Sequence, residues 1–339
     1  MSESVEVIRA RVDSFEGFHE AVHGSHVDVM QLQRGKFRGM LTHVGIGNFS
    51  LSIGSFSTGI RTQRTSKEQK LIVGMLLESS NRVTHWSYDM QPGDVLVIPP
   101  SIDHDGRFFG ASSYAAIRLD LTDVAGIFGG ETDLADPATW AVKNLYKADP
   151  RLSAVAIHRL RKIVSRLADP NVDLPEQSAD FWRRSITDAM MATVLHSLPS
   201  DSAGPHMSAI GLVRNVENYI DTVGARPVHI SEICTEFAVS RRSLHRAFDE
   251  VLGMGPVTFL RYKRLCDIHS ILRESDPAQT TVAKVAIQHG FIELGRFAHY
   301  YRTLFGEHPS ETLRSPSGRF TAARNGAKLH GAHSRRSSL

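Results

Sequence analysis

Apolar residues change their spacing twice along this chain, and the changes mark its parts. Between about residues 27 and 121 they come in short blocks, 37–44, 49–53, 71–77 and 94–98, punctuated by glycines, Asn81 and Pro92-Gly93. Short apolar runs between turn residues predict strands, and several in succession predict an all-β sandwich or barrel. Over residues 150–198 the spacing becomes three and four, which puts apolar side chains on one face of a helix. Leu152, Val155, Leu160, Ile163, Val164 and Leu167 form one predicted stripe. Phe181, Trp182, Ile186, Met190, Val194 and Leu195 form a second, after a break from Asp169-Pro170 to Pro175. Residues 199–205, polar and rich in breakers, predict a linker.

The last third carries one helical pattern twice. Ile230, Ile233, Cys234, Val239, Leu244 and Phe248 hold the apolar positions of the first copy; Val282, Val285, Ala286, Phe291, Phe297 and Tyr301 hold those of the second. The copies end alike, in Leu252-Gly253-Met254-Gly255-Pro256 and Phe305-Gly306-Glu307-His308-Pro309. The register follows by subtraction: 306 − 253 and 309 − 256 both give 53, and 285 − 233 gives 52. A short support helix packed across a tight turn on a second helix is a helix-turn-helix, and two in register predict two DNA-reading heads. Small Cys234 and Ala286 suit the closest approach of each helix pair. Ser240 is a natural N-cap, and Gly290 suits a turn that needs positive φ. Gly253 and Gly306 read as helix stops, each with a proline three residues on.

On these residues, positions 211–314 resemble the DNA-binding domain of the AraC/XylS family of bacterial transcription regulators. The segment from Pro256-Val257-Thr258-Phe259-Leu260 to Leu272 resembles that family's long helix between the two heads. A helix over 256–273 would be about 27 Å long, near the roughly 34 Å of one DNA turn. Recognition helices present their early, outward residues to base edges. In the first head these are Arg241, Arg242, His245 and Arg246, with Ser240 as both cap and phosphate donor. An arginine fork matches the O6 and N7 acceptors of guanine. The resemblance places Arg242, His245 and Arg246 on bases and turns Arg241 to phosphate. In the second head Glu293, Leu294, Arg296 and His299 are the candidates. Arg302, Thr280, Thr281, Arg261 and Lys263 are candidates to clamp phosphates. Ile292 stands where many relatives carry a small hydroxyl cap, and Leu294 and Gly295 follow it, so the second head is expected to read less stringently. Leu294 can meet a thymine methyl but cannot hydrogen-bond a base.

Charge refines this picture. The chain carries only +3, and residues 205–314 hold nearly as many acidic as basic side chains. The cations are concentrated on the expected recognition surfaces, unlike the broad basicity of a non-specific binder. Residues 315–339 lack acids and carry Arg319, Arg324, Lys328, Arg335 and Arg336. With little to bury, this tail is expected to be disordered, and either to add salt-sensitive affinity for DNA or to have no function of its own. The two cysteines, Cys234 and Cys266, read as small core residues of a cytoplasmic protein. No run of eighteen apolar residues and no signal-peptide layout predicts a membrane partner.

Pro92-Gly93-Asp94, four apolar residues, and Pro99-Pro100 resemble the second motif of cupin barrels. In the resembled family such a barrel senses a small effector. Metal-dependent cupins need His-x-His, which the strand region lacks. Asp103-His104 follows the prolines, His85-Trp86 stands alone, and His19, His23 and His26 read as a solvated helix face. No metal, cofactor or catalytic residue is therefore predicted. Phe49, Phe56, Arg61, Trp86, Tyr88, His104 and Arg118 are the effector-lining candidates, the arginines suiting a carboxylate.

The expected architecture is an α+β multidomain chain. It has a cupin-like β-barrel that senses an effector (1–149), a helical dimerisation or linker segment (150–204), an all-α tandem helix-turn-helix domain (205–314) and the basic tail (315–339). The resemblance implies a transcription activator controlled by a small molecule, with double-stranded DNA, RNA polymerase and a second copy of the chain as partners. A repressor, an effector-independent DNA binder, and a cupin enzyme fused to a DNA-binding domain are the alternatives. For the helices of 150–198 the alternative to dimerisation is packing back on the barrel.

Overall fold

The strands are β1 (Val5–Val12), β2 (Asp28–Gln31), β3 (Gly39–Ile46), β4 (Phe49–Phe56), β5 (Ile60–Arg64), β6 (Leu71–Ser79), β7 (Val83–His85), β8 (Tyr88–Met90), β9 (Val95–Ile98), β10 (His104–Phe108), β11 (Ser112–Leu119), β12 (Asn144–Tyr146) and β13 (Ala322–Asn325). The structure is a computed structural model that describes residues 5–17, 27–64, 70–86, 88–100, 102–121, 137–140, 144–169, 178–195, 207–224, 226, 228–315 and 322–325. The expected histidine trio 19, 23 and 26, the break over 170–177, the linker 199–205 and most of the basic tail lie outside these residues.

Eight strands form one antiparallel sheet in the order β12-β9-β6-β11-β4-β3-β1-β13, and five form a second, β2-β5-β10-β7-β8. β6 and β9 are buried on both faces, which is why their apolar residues run continuously instead of alternating. Ile72, Leu76, Leu96 and Ile98 face the smaller sheet beside Phe56 and Phe108. Leu71, Val73, Met75, Val95 and Val97 face the other way, under two helices.

Neither sheet closes. A barrel needs an unbroken ring of ladders, and among the described residues no ladder joins β12 or β13 to β2 or β8. The expected cupin-like barrel is thus an open two-sheet sandwich. Within the tail expected to lack structure, Ala322–Asn325 pair antiparallel with β1. An edge strand presents unpaired backbone donors and acceptors, so a further segment can add to it through backbone hydrogen bonds alone.

The helices α1 (Pro150–Leu167) and α2 (Ala179–Leu195) cover the larger sheet. Asp149 caps α1, its carboxylate accepting from the N–H groups of Arg151 and Leu152, with Pro150 in the first turn. Leu160, Ile163, Val164 and Leu167 pack with Ile186 and Met190. Val155 and Phe181, expected on the buried stripes, are 68% and 62% exposed, and Leu152 is exposed too. The buried line of α1 instead begins at Ser153 and Ala156. The reason is steric: a Cβ on Gly93, which sits at φ +93°, would lie 2.1 Å from Ser153 Cβ. That close approach admits only a small side chain on the inner side of the first turn.

The C-terminal region is all helical: α3 (Met207–Val223), α4 (Ile230–Glu236), α5 (Arg241–Leu252), α6 (Pro256–Glu274), α7 (Val282–Gln288), α8 (Leu294–Phe305) and α9 (Pro309–Arg314). Val213, Val216, Ile233, Leu244, Phe248 and Phe259 make one core. The second core, with Leu265, Ile268, Phe297, Tyr301 and Phe305, is continuous with Phe15, Phe37 and Leu41 of the sheet region. Among the described residues no helix is long and apolar enough to cross a membrane.

Candidate nucleic-acid interface

The first head is built by local rules. Ser240 takes extended backbone and its Oγ accepts from the Ser243 N–H at 3.0 Å, starting α5. Gly253 ends α5 in the left-handed region at φ +64° and donates to Asp249 O. Leu244, Ala247 and Phe248 turn inward. Arg241, Arg242, His245 and Arg246 are consequently exposed, and together with Asp249 they line one shallow groove. The His245 ring leans over Gly255, where a Cβ would meet its Nε2 at 2.6 Å. All five first-head candidates therefore share one end and one face of α5.

The second head repeats the plan with one extra turn residue. Gly290 has the expected positive φ, +81°. The N-cap of α8 is Glu293 rather than Ile292, so the offset of 53 extends through the whole recognition helix. Leu294 then occupies the place of Arg241, Gly295 that of Arg242, and His299 that of Arg246. Glu293 makes no side-chain cap bond; its carboxylate instead accepts from Arg296 Nη1 at 3.2 Å. Glu293, Leu294, Arg296, His299 and Arg302 are all exposed, and Ile292 is 88% exposed. Thr281 caps α7 by accepting from the Lys284 N–H. Arg261 stacks 4.4 Å above the Tyr300 ring. Lys263 points away from the heads, its Nζ 2.8 Å from Asp221 in a cleft against the sheets. Between the heads α6 runs 19 residues, about 28 Å.

A cavity of about 110 Å³ lies between the two sheets, its walls mostly apolar, with Thr62, His85, His104 and Arg118 among them. Of the effector candidates, His104 and Arg118 line it. Phe49 sits in the core under α1 and α2. Phe56 packs edge-on against Phe108 at 5.0 Å, and Trp86 donates its Nε1–H to Asp103 O at 2.8 Å. Tyr88 is half-buried on β8. Arg61 faces the opposite side of its strand, donating from Nε to Asp105 Oδ1 at 3.1 Å and pairing with Glu217 of α3. Arg107 joins the same cluster through Asp105. Burial alone would raise the Asp105 carboxyl, but the guanidinium groups of Arg61 and Arg107 outweigh it and hold it low. Burial pulls Arg107 down to about 10.

His85, alone in sequence, has its ring centroid 4.9 Å from that of His104. Burial, then the neighbouring His104, hold its pKa well below the usual value, keeping it neutral. Among the described residues no three His, Cys, Asp or Glu side chains are grouped to hold a metal. Sequence reasoning also missed the contacts that join the sheets to the reading helices. Gln31 Nε2 and the Gly35 N–H both donate to Leu304 O, at 2.8 and 2.9 Å. His269 bridges Glu16 and Glu307. No local signal could have found them, because the partners are far apart in the chain.

Residues 233–315 match the helix-turn-helix domain family. Over 111 residues the chain is 33% identical to the probable thc operon regulatory protein of Rhodococcus erythropolis, covering 33% of each chain. Over 99 residues it is 32% identical to the XylDLEGF operon transcriptional activator of Pseudomonas putida, covering 29% of this chain and 31% of that one. The chain thus spans about a third of the length of these curated relatives. The crystal structure of the AraC-like transcriptional activator CuxR aligns over 78% of this chain and 96% of its own, at 15% identity and a TM-score of 0.42. The C-terminal tandem helix-turn-helix domain is thus similar to the DNA-binding domain of AraC/XylS transcription regulators.

Proposed function

We propose that this chain is a sequence-specific DNA-binding transcription activator controlled by a small molecule held between its N-terminal sheets. The observation that carries the reading is the first head. Arg241, Arg242 and Arg246 stand exposed at the start of a capped helix, where an arginine fork can meet guanine O6 and N7. The second head adds Glu293, Leu294, Arg296, His299 and Arg302 across the 19-residue α6. Sign of regulation follows the relatives, several of which are named transcriptional activators. The effector site is the inter-sheet cavity, with His104 and Arg118 as its polar contacts. Residues 1–149 sense, 150–204 connect and 205–314 read. RNA polymerase and a second copy of the chain are the remaining partners, acting in the cytoplasm.

The test is selection from randomised duplexes with the full chain. The expected product is a motif of two segments one helical turn apart. Arg246→Ala should then cost roughly 1–3 kcal/mol at the selected site and relax one base position. Unselective retention that vanishes with salt, or full affinity in Arg246→Ala, would remove the first head from the interface.

A further inference from the structure

The five-stranded sheet has a cavity against each of its faces. Val29 of β2, Ile60 and Thr62 of β5, and His104 and Phe108 of β10 close the inter-sheet cavity. Asp28, Met30, Arg61 and Gln63, from the same β2 and β5, line a polar cleft of about 450 Å³ against α3 and α6. Pleating makes this inevitable, since neighbours along a strand face opposite ways. One strand thickness therefore separates the ligand space from the reading domain.

The outer side of that sheet, with the segments that continue it, touches the C-terminal cap of both recognition helices. Just past β10, the Phe109 ring lies 3.4 Å from where a Gly253 Cβ would stand. Just past β2, the Lys36 backbone nitrogen lies 2.9 Å from the corresponding point on Gly306. Gln31 and Gly35 donate to Leu304 O in the last turn of α8. Between these contacts Arg61, 1% exposed, is locked to Glu217 of α3. A buried pair of this kind resists separation because parting strands a charge. The two glycines carry no side chain that could cushion a shift.

We propose that this small sheet is a shared wall that passes occupancy of the cavity to the ends of both recognition helices. The inference rests on the reading of the chain as an effector-controlled DNA binder. The argument for the direction of movement is packing. A cavity of about 110 Å³ is smaller than the roughly 150 Å³ site that accepts a benzene ring, so an occupant of benzene's size or larger must displace a wall. The larger sheet is backed by the close-packed core under α1 and α2, which transmits strain instead of yielding. The smaller sheet is backed by the open cleft, and it is the wall that moves.

The test fills the cavity from its far wall and reads the two helix ends. Ala116 lines the cavity from β11 of the larger sheet. In the full chain, Ala116→Leu should change amide hydrogen exchange at Gly253 and Gly306 several-fold. Their N–H groups donate to Asp249 O and Arg302 O, each at 2.8 Å. Exchange in α1 and α2 should stay as it was. Adding Phe109→Ala should abolish the response at Gly253 and leave that at Gly306. Benzene at saturation on the unaltered chain supplies the same filling should the leucine prevent folding. Unchanged exchange at both glycines, or a Gly253 response that survives Phe109→Ala, overturns the shared wall. The readout needs no DNA: failure to select any duplex would sink the regulator reading, while the exchange result still decides the coupling.

Discussion

At position 238 the first head carries a side chain where the second has none. Ala238 sits at φ +50° in the same turn position that Gly290 fills at φ +81°. An L-residue held in the left-handed region costs about 1–2 kcal/mol, against the roughly 0.5–1 kcal/mol of extra chain entropy that glycine loses on ordering. Ala238→Gly should therefore stabilise the chain by up to about 1 kcal/mol, and Gly290→Ala should destabilise it by about 1 kcal/mol or more. Urea unfolding of the two variants checks both signs; a destabilised Ala238→Gly would refute the strain. Gly290 was legible because glycine itself signals the conformation, whereas an alanine conceals it. Arg61 shows a second limit at this scale. Its strand was readable, but a one-residue change of facing exchanges ligand cavity for domain interface, and local pattern did not settle which.

At the scale of the element, the two recognition helices differ in how they start. Ser240 supplies an N-cap bond and Glu293 does not. Glu293→Ser should stabilise α8 by about 1 kcal/mol, whereas Ile292→Ser should leave thermal unfolding unchanged. Equal gains from the two would show that the longer second turn had been placed wrongly. The helical periodicity of 150–198 located both α1 and α2. It misplaced Leu152 and Val155 because burial there depends on how closely the first turn of α1 meets Gly93, not on spacing alone.

At the scale of the whole molecule, a buried histidine ties the sheets to the second head. His269 Nδ1 lies 2.6 Å from Glu16 Oε1, and its Nε2 3.7 Å from Glu307 Oε1, while Lys36 Nζ reaches Glu307 Oε2. Burial alone would lower the imidazole, but the carboxylates of Glu16 and Glu307 outweigh it and raise it above its ordinary 6.5. Its contribution is complete below pH 6.5 and is lost as pH rises through the raised value. Glu307, held at about 2 chiefly by its hydrogen bond to His269, contributes above its ordinary 4.5 and loses that as pH falls towards 2. Docking through this cluster should be strongest between pH 4.5 and 6.5. His269→Phe should flatten the alkaline side of a melting-temperature profile; an unchanged slope there would show that the bridge does not hold the domains.

The repeat of 53, the caps and stops at Ser240, Gly290, Gly253 and Gly306, and the exposed arginines of the first head were all determined by sequence. Each depends on backbone sterics or a hydrogen bond within a few residues, which a local pattern records. The opening of the sheets, the added strand β13, the His85–His104 contact and the Arg61–Glu217 pair were decided only in three dimensions. Each depends on which distant segment arrives against a given face, and burial, charge pairing and edge coverage are properties of that meeting.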